Sequence, residues 1–331
     1  MTFSLRLLAV VGFALGLTSG PPAVAQPKTP DVVRLGNLKF AHYGAVSYMK
    51  ELGPKYGLEV KEQVFPKGVD IVPAIIAGEI DIAASALDAA IAGRAGGAPV
   101  YVVAGFAKGG VRIIGRTDLN IKSVAGLKGK KVGVPRGGAQ ELCLMAELSK
   151  AGLTWSDQPG TKDVQLMYLG YPELNQALQA SQIDAMCQSE PQSAQAIAKG
   201  WGTEIVKPYD TLMGAPIRSM VMTEKMYKEK PDVARRTLEC FVDATGMFLA
   251  DSALAEKYVR ENVFKGQLTS EDYKAAMENA QFTYDIDEAH VQITTDLMVR
   301  YGVGRLKDPP RAEEWVKTDL LDQAKKNLAA K

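Results

Sequence analysis

Residues 75–83 read Ile-Ile-Ala-Gly-Glu-Ile-Asp-Ile-Ala, and residues 178–186 read Leu-Gln-Ala-Ser-Gln-Ile-Asp-Ala-Met. In each copy a helix ends at a small residue, a short turn holds Ile-Asp, and an apolar strand leads directly into another helix. Connections of this kind are short and stereotyped, so two unrelated αβ units could match by chance. The other reading is two similar lobes with equivalent strand ends. Ligands of open α/β sheets sit at the carboxyl ends of strands. Two such ends, one per lobe, would face each other across a cleft.

Working outward, residues 32–36, 58–64, 81–84 and 100–106 read as strands, and residues 43–56, 69–77 and 86–95 as helices. A second set follows, with strands at 131–134, 164–169 and 184–187 and helices at 139–151, 173–180 and 192–199. From about residue 224 the chain is mainly helical, with start signals at Pro231-Asp232 and at residues 269–272. Short apolar strands alternating with helices predict an α/β fold of mostly parallel sheets, each covered by helices on both faces.

The length of 331 residues suggests roughly two domains. Hydrophobic residues at 47% and charged residues at 23% describe a folded chain whose core needs no disulfide or metal. Lys and Arg total 39 against 38 Asp and Glu. With no basic stripe, neither nucleic acid nor an anionic membrane is an expected partner.

The first 25 residues differ from the rest. Arg6 precedes the uncharged run LLAVVGFALGL at 7–17, Pro21 and Pro22 break it, and Ala23-Val24-Ala25 precedes Gln26. This is the layout of a secretory signal peptide. The run is too short for a spanning helix. The first cysteine is Cys143, so no lipid-bearing N-terminal Cys is expected, and the mature chain is expected in the periplasm without membrane insertion. Cys143, Cys187 and Cys240 are odd in number, far apart and free of any C-x-x-C pattern. They read as buried apolar residues, although an oxidising compartment would allow one pair to bridge. No nucleophile elbow, HExxH, Walker loop or GxGxxG is present. No catalytic residue, cofactor or metal is expected.

Three stretches carry a resemblance. They are FPKGVDIVPAIIAGEIDIAASALDAAIAGRAGGAPV at 65–100, SVAGLKGKKVGVPRGGAQELCLMAEL at 123–148 and ALQASQIDAMCQSEPQSAQAI at 177–197. In this order and spacing, the chain resembles the periplasmic solute-binding proteins of ABC importers for nitrate, sulfonates, taurine and pyrimidines, relatives of the fungal thiamine-pyrimidine synthases. The resemblance implies a two-lobed periplasmic-binding-protein fold of type II. It places two hinge crossings near residues 109–116 and 213–219, with lobe 1 from 31–112 and 217–331 and lobe 2 from 113–216. It implies a monomer that captures a sulfonate, nitrate, carboxylate or pyrimidine between its lobes and passes it to a membrane permease. The alternatives are an enzyme of the synthase branch or the ligand-binding partner of a sensor. The synthases use a Lys, a His and a Cys-rich run. By resemblance, Ser85, Ala89 and residues 213–219 stand at those places, and none of them supplies the group required.

The candidate ligand residues lie at strand ends. Arg136, Gly137, Gly138, Ala139 and Gln140 join a strand to a helix. The glycines admit close approach, the helix start offers free N–H groups, and Arg136 adds a fork of donors, which suits a carboxylate or sulfonate. The alternative is an ordinary loop with a solvated Arg. Ser85, Ala86 and Asp88 are the first-lobe counterpart, where ligand contact competes with simple helix capping. The resemblance puts Lys39, Phe40, His42 and Tyr43 at the cleft. Phe40 or Tyr43 could stack on a planar ligand there and His42 could donate a hydrogen bond; a lone loop His also serves as a surface or cap residue. Gln188 and Glu190 end the last strand of the second set. Glu190 either meets an amine or pyrimidine N–H or caps the helix that begins at Pro191.

Overall fold

A computed structural model describes residues 29–330 and contains two six-stranded sheets. The expected signal peptide at 1–25 lies outside the described residues. The first sheet begins with β1 (Asp31–Leu38), β2 (Leu58–Phe65), β3 (Ile82–Ala86) and β4 (Val100–Gly109), connected through α1 (Gly44–Leu52), α2 (Ile71–Ile76) and α3 (Leu87–Ala95). The second sheet holds β5 (Val111–Arg116), β6 (Lys131–Val134), β7 (Trp155–Ser156), β8 (Val164–Tyr168), β9 (Ala185–Ser189) and β10 (Gly202–Val206). Its helices are α4 (Ala139–Lys150), α5 (Tyr171–Gln179) and α6 (Gln192–Ala198). The chain then returns to the first sheet as β11 (Ile217–Thr223). It continues through α7 (Glu224–Glu229), α8 (Pro231–Ala250), α9 (Ser252–Tyr258), α10 (Ser270–Met277), β12 (Ala280–Phe282), α11 (Glu288–Tyr301), α12 (Ala312–Trp315) and α13 (Asp319–Ala329).

The strand orders are β12-β4-β11-β3-β1-β2 and β10-β5-β9-β6-β8-β7. Both sheets are mixed, which corrects the expectation of mostly parallel sheets. β1, β2 and β3 pair in parallel, as do β6, β7, β8 and β9. β11 runs antiparallel to both β3 and β4, and β5 runs antiparallel to β9 and β10. The reason is topological. A strand that arrives from the other sheet comes in at the carboxyl ends of its new neighbours and must run against them. Single-strand patterns carry no sign of this, and β5, β7, β10, β11 and β12 are not among the strands that periodicity predicts.

The chain passes between the sheets at Gly109–Gly110 and again between Val206 and Ile217. Gly109 and Gly110 both adopt positive φ, at 81° and 79°. A side chain at Gly109 would run into the carbonyl oxygen of Asn279, so this tight passage requires glycine.

The sequence echo has one physical role in both copies. The Asp81 Oδ2 accepts from the Arg34 backbone N–H at 3.0 Å, and the Asp81 N–H donates to the Arg34 carbonyl at 2.9 Å. The Asp184 Oδ2 accepts from the Lys131 N–H at 2.9 Å, and the Asp184 N–H donates to the Lys131 carbonyl at 2.8 Å. Each Ile-Asp turn therefore docks a strand start onto its neighbour, β3 on β1 and β9 on β6. The two strand ends that follow are set in equivalent places.

Helices cover the sheets through apolar faces. α8 begins at Pro231, whose missing N–H costs nothing in a first turn. It buries Leu238, Phe241 and Phe248, each worth about 1.5–3 kcal/mol by area. Gly53 and Pro54 end α1 earlier than expected, in a 3-10 turn. Among the described residues no helix is long and apolar enough to cross a membrane.

Candidate functional site

The first-sheet wall of the site comes from three elements. β3 ends at Ser85-Ala86, and Ala86 caps α3 in an extended conformation, which puts Asp88 in the first turn. The Ser85 hydroxyl donates to the Ala86 carbonyl at 3.1 Å. Asp88 is 2% exposed, and among the described residues neither carboxylate oxygen has a hydrogen-bond partner of good geometry, although the N–H groups of Asp88 and Ala89 lie close enough to lower its pKa slightly. Burial pushes its pKa up to about 6; nearby Arg218 pulls the other way and Glu141 reinforces the rise. β11 lies beside β3 with Arg218 opposite Ala86. Arg218 is 2% exposed and uses Nη1 to donate to the Gly109 carbonyl at 2.8 Å.

After β1, a 3-10 turn at Ala41–Tyr43 turns His42 and Tyr43 inward. His42 is 1% exposed, and among the described residues both ring nitrogens lack partners. Burial holds its pKa well below the ordinary value, and Arg218 acts in the same direction, so the ring is neutral. Tyr43 packs edge-on against Phe106 with centroids 4.5 Å apart, and burial pushes its hydroxyl pKa up. A buried polar atom without a partner is costly and calls for an explanation. Here His42 and Asp88 leave four such atoms close to a buried guanidinium.

The second sheet closes over this cluster. Phe40 meets Tyr171 of α5 edge-on at 5.1 Å, and the Tyr171 hydroxyl donates to the Gln140 side chain at 3.3 Å. A Cβ on Gly138 would stand 2.8 Å from that hydroxyl, so any larger residue there would displace the ends of Tyr171 and Gln140. A cavity of only about 10 Å³ remains among Asp88, Ala139, Met213, Pro216, Ile217 and His290. A cavity of about 450 Å³ opens at an outer rim that adjoins the cluster through Glu141, lined by Arg136, Gly137, Glu141, Trp155, Tyr168 and Tyr301. Volume and chemistry thus point to different places. The unpartnered buried atoms are the better marker, because the polar groups at the rim are largely partnered or solvated.

The remaining expected residues fall outside the cluster. Lys39 is exposed and points toward Gln267 and the Phe264 ring. Arg136 stacks 3.7 Å above Tyr168 and pairs at 3.4 Å with Asp157, with its side chain 54% exposed. The N–H of Gly137 donates to the Glu141 carboxylate at 2.7 Å, and Tyr168 donates to the same group. The start of α4 therefore already has an anion of its own. Gln188 is spent on the Tyr171 carbonyl, Asn175 and the Ser189 N–H. Glu190 is fully buried; it pairs with Arg112 at 2.5 Å and accepts from Asn279 at 2.9 Å and from the Ala194 N–H at 3.1 Å. This is the helix-capping role together with an ion pair. Cys143, Cys187 and Cys240 are buried and free, and burial pushes their thiol pKa values up.

Sequence reasoning missed Arg218. Its signal is one cation as the second residue of an otherwise uncharged strand, IRSMVMT. Tyr171 was missed too, because nothing local distinguishes it from an ordinary first-turn aromatic. The arrangement offers donors from Arg218, an acceptor pair from Asp88, and a neutral imidazole able to do either. Its buried thiols are held protonated.

The sequence profile of the NMT1-like family matches residues 26–260. A candidate ABC transporter periplasmic binding protein of Brachyspira hyodysenteriae (strain ATCC 49526 / WA1) is 26% identical over 241 residues, 67% of each chain. The alkanesulfonate-binding protein SsuA from Xanthomonas axonopodis pv. citri, solved bound to MOPS, superposes with a TM-score of 0.74 at 18% identity, covering 88% of this chain and 100% of that one. A Candida albicans protein described as exhibiting the generic periplasmic binding protein structural fold gives 0.69 at 16% identity, over 87% and 96%. The two likenesses in structure show the periplasmic binding protein fold.

Proposed function

The chain belongs to the NMT1-like family, and from that premise we propose that it is the periplasmic substrate-binding component of an ABC importer, capturing a small polar molecule between two lobes. The lobes are built on the first sheet, 31–109 with 217–331, and on the second sheet, 110–216. The observation that carries this reading is the set of unpartnered atoms of His42 and Asp88 beside Arg218, at the carboxyl end of β3, with the second sheet packed over them. The Brachyspira relative, named for an ABC transporter, supports the importer, and the alkanesulfonate-binding neighbour supports a polar ligand.

Capture follows from the geometry. Opening about the Gly109–Gly110 passage and the 206–217 connection exposes the cluster to solvent. A ligand that satisfies Asp88, His42 and Arg218 only when the lobes meet stabilises the closed form through differential contacts, the one way a ligand can shift such an equilibrium. A permease then receives the closed form. The chain acts as a carrier and not as a catalyst. By the resemblance, Ser85 has a hydroxyl where the synthase branch has an amine, and Ala89 has only a methyl group where that branch has an imidazole.

The test is a thermal-shift screen of the mature protein against sulfonates, nitrate, carboxylates and pyrimidines. A true ligand at 100 times its dissociation constant should stabilise the protein by about 2.7 kcal/mol. No stabilisation by any polar class would defeat the reading.

A further inference from the structure

The charge on the walls of the site constrains the charge of its occupant. Arg218 contributes one buried positive charge, at 2% exposure. Asp88 contributes one carboxylate at 2% exposure, with no side-chain partner on either oxygen among the described residues. His42 is held neutral. The groups facing Asp88 are Arg218 from β11, Tyr43 after β1, Glu141 and Cys143 from α4, Tyr171 from α5, and His290 from α11, which shares its small cavity. The tyrosines and the thiol are held protonated by burial, and burial lowers the pKa of His290. Glu141 adds negative charge, although Gly137 and Tyr168 already bind it. Arg136 at the rim brings no unpaired charge inward, because Asp157 accompanies it.

Burying a charge without a counter-charge costs far more than burying a dipole. In this site a simple anion would meet Arg218 and also an ionised Asp88. A molecule with both an acceptor and an N–H or ammonium donor meets each wall group with its complement. On the capture reading above, we propose that this site selects net-neutral molecules that carry an acceptor for Arg218 and a donor for Asp88, and discriminates against simple anions. Asp88 is then the residue that sets specificity. Replacing its charge should convert the site into an anion receptor, since Arg218 would stand alone.

The experiment is calorimetry on the mature protein at pH 7.5 with four probes: cytosine and taurine, which are net neutral, and ethanesulfonate and nitrate, which are anions. The expected result is that one or both neutral probes bind at least tenfold tighter than either anion. Asp88→Asn should bind the neutral probes at least tenfold more weakly and the anions more tightly, and Asp88→Glu should restore the wild-type order. Wild type at pH 5.5 should move in the direction of Asp88→Asn. An anion binding tightest to wild type, or an unchanged order in Asp88→Asn, overturns the inference and leaves capture intact. Failure of all four probes to bind overturns the capture reading and this inference with it.

Discussion

Arg112 and Arg218 are each the second residue of a strand that has just crossed between the sheets, β5 and β11. Each lies beside the end of the strand that follows an Ile-Asp turn: Arg112 opposite Gln188, Arg218 opposite Ala86. Their surroundings have diverged. Around Arg112 the protein supplies nearly every partner. Glu190 takes Nε, Glu204 takes Nη1 and the Ala275 carbonyl takes Nη2, while Asn279 and Tyr209 tie the same knot to Val111. Around Arg218 the nearby acid and imidazole have no partner. A buried polar network completed by protein atoms rigidifies the fold, whereas one left incomplete carries a desolvation cost that calls for an explanation. Near-equivalent positions in the two sheets thus carry a completed network, a pin, at one crossing and, on the proposed reading, a receptor at the other.

The comparison can be broken most severely at the pin. Arg112→Ala should lower stability by about 3–5 kcal/mol, because it leaves Glu190 buried without its counter-charge. Urea unfolding measures this, and a loss under about 1 kcal/mol would show that the network is not structural.

At the receptor the sign reverses. Asp88→Asn should stabilise the ligand-free protein by about 2–3 kcal/mol at pH 7.5, the cost of ionising a carboxyl raised from 3.8 to about 6. A folded-state pKa above the unfolded value stabilises most below about pH 4, and that contribution is lost as pH rises through 6. The advantage of the variant should therefore shrink on acidification through that window. His42 works in the opposite direction, since its lowered pKa removes stability as pH falls below 6.5. The wild-type-minus-variant difference isolates Asp88, and paired denaturation curves at pH 5 and 7.5 provide it.

A milder change at the pin is Tyr209→Phe, which removes a hydroxyl bonded to Asn279 Oδ1 at 2.7 Å and to the Val111 N–H at 3.1 Å. Its expected cost is about 1–2 kcal/mol, again by urea unfolding, with ligand affinity little changed. The smallest effect belongs to Arg136→Ala. An exposed ion pair and one cation–π contact are worth about 0.5–1 kcal/mol together, and affinity should change less than twofold. A tenfold loss in calorimetry would return Arg136 to the ligand site and undo the distinction between rim and cluster.

Much of this was legible from the chain. The Ile-Asp echo marked equivalent strand ends, and the structure gives Asp81 and Asp184 the same backbone-docking role. The Ser85–Asp88 turn is a candidate from its place at a strand end, whereas the loop from Lys39 to Tyr43 is one through the family resemblance. Within them, His42, Tyr43 and Asp88 turn inward and Lys39 turns out, a choice that depends on what packs above. Glu190 and Arg136 were each read with two roles, and local sequence could not choose between them. The choice rests on Arg112, Asn279, Glu141 and Asp157, of which only Glu141 is close in sequence, beside Arg136.

The alternation of apolar strands and helices, the repeated turn and the balanced charge were determined by the sequence alone, because they depend on residue order and on side-chain periods of two and 3.6. The direction of β5 and β11, the meeting of Arg218 with Asp88 and His42, and the division between a satisfied and an unsatisfied network were decided only by tertiary structure. Those features join residues up to 176 positions apart, His42 to Arg218. Hydrogen-bond satisfaction is a property of which donors and acceptors share a dry space, and only the folded chain defines that space.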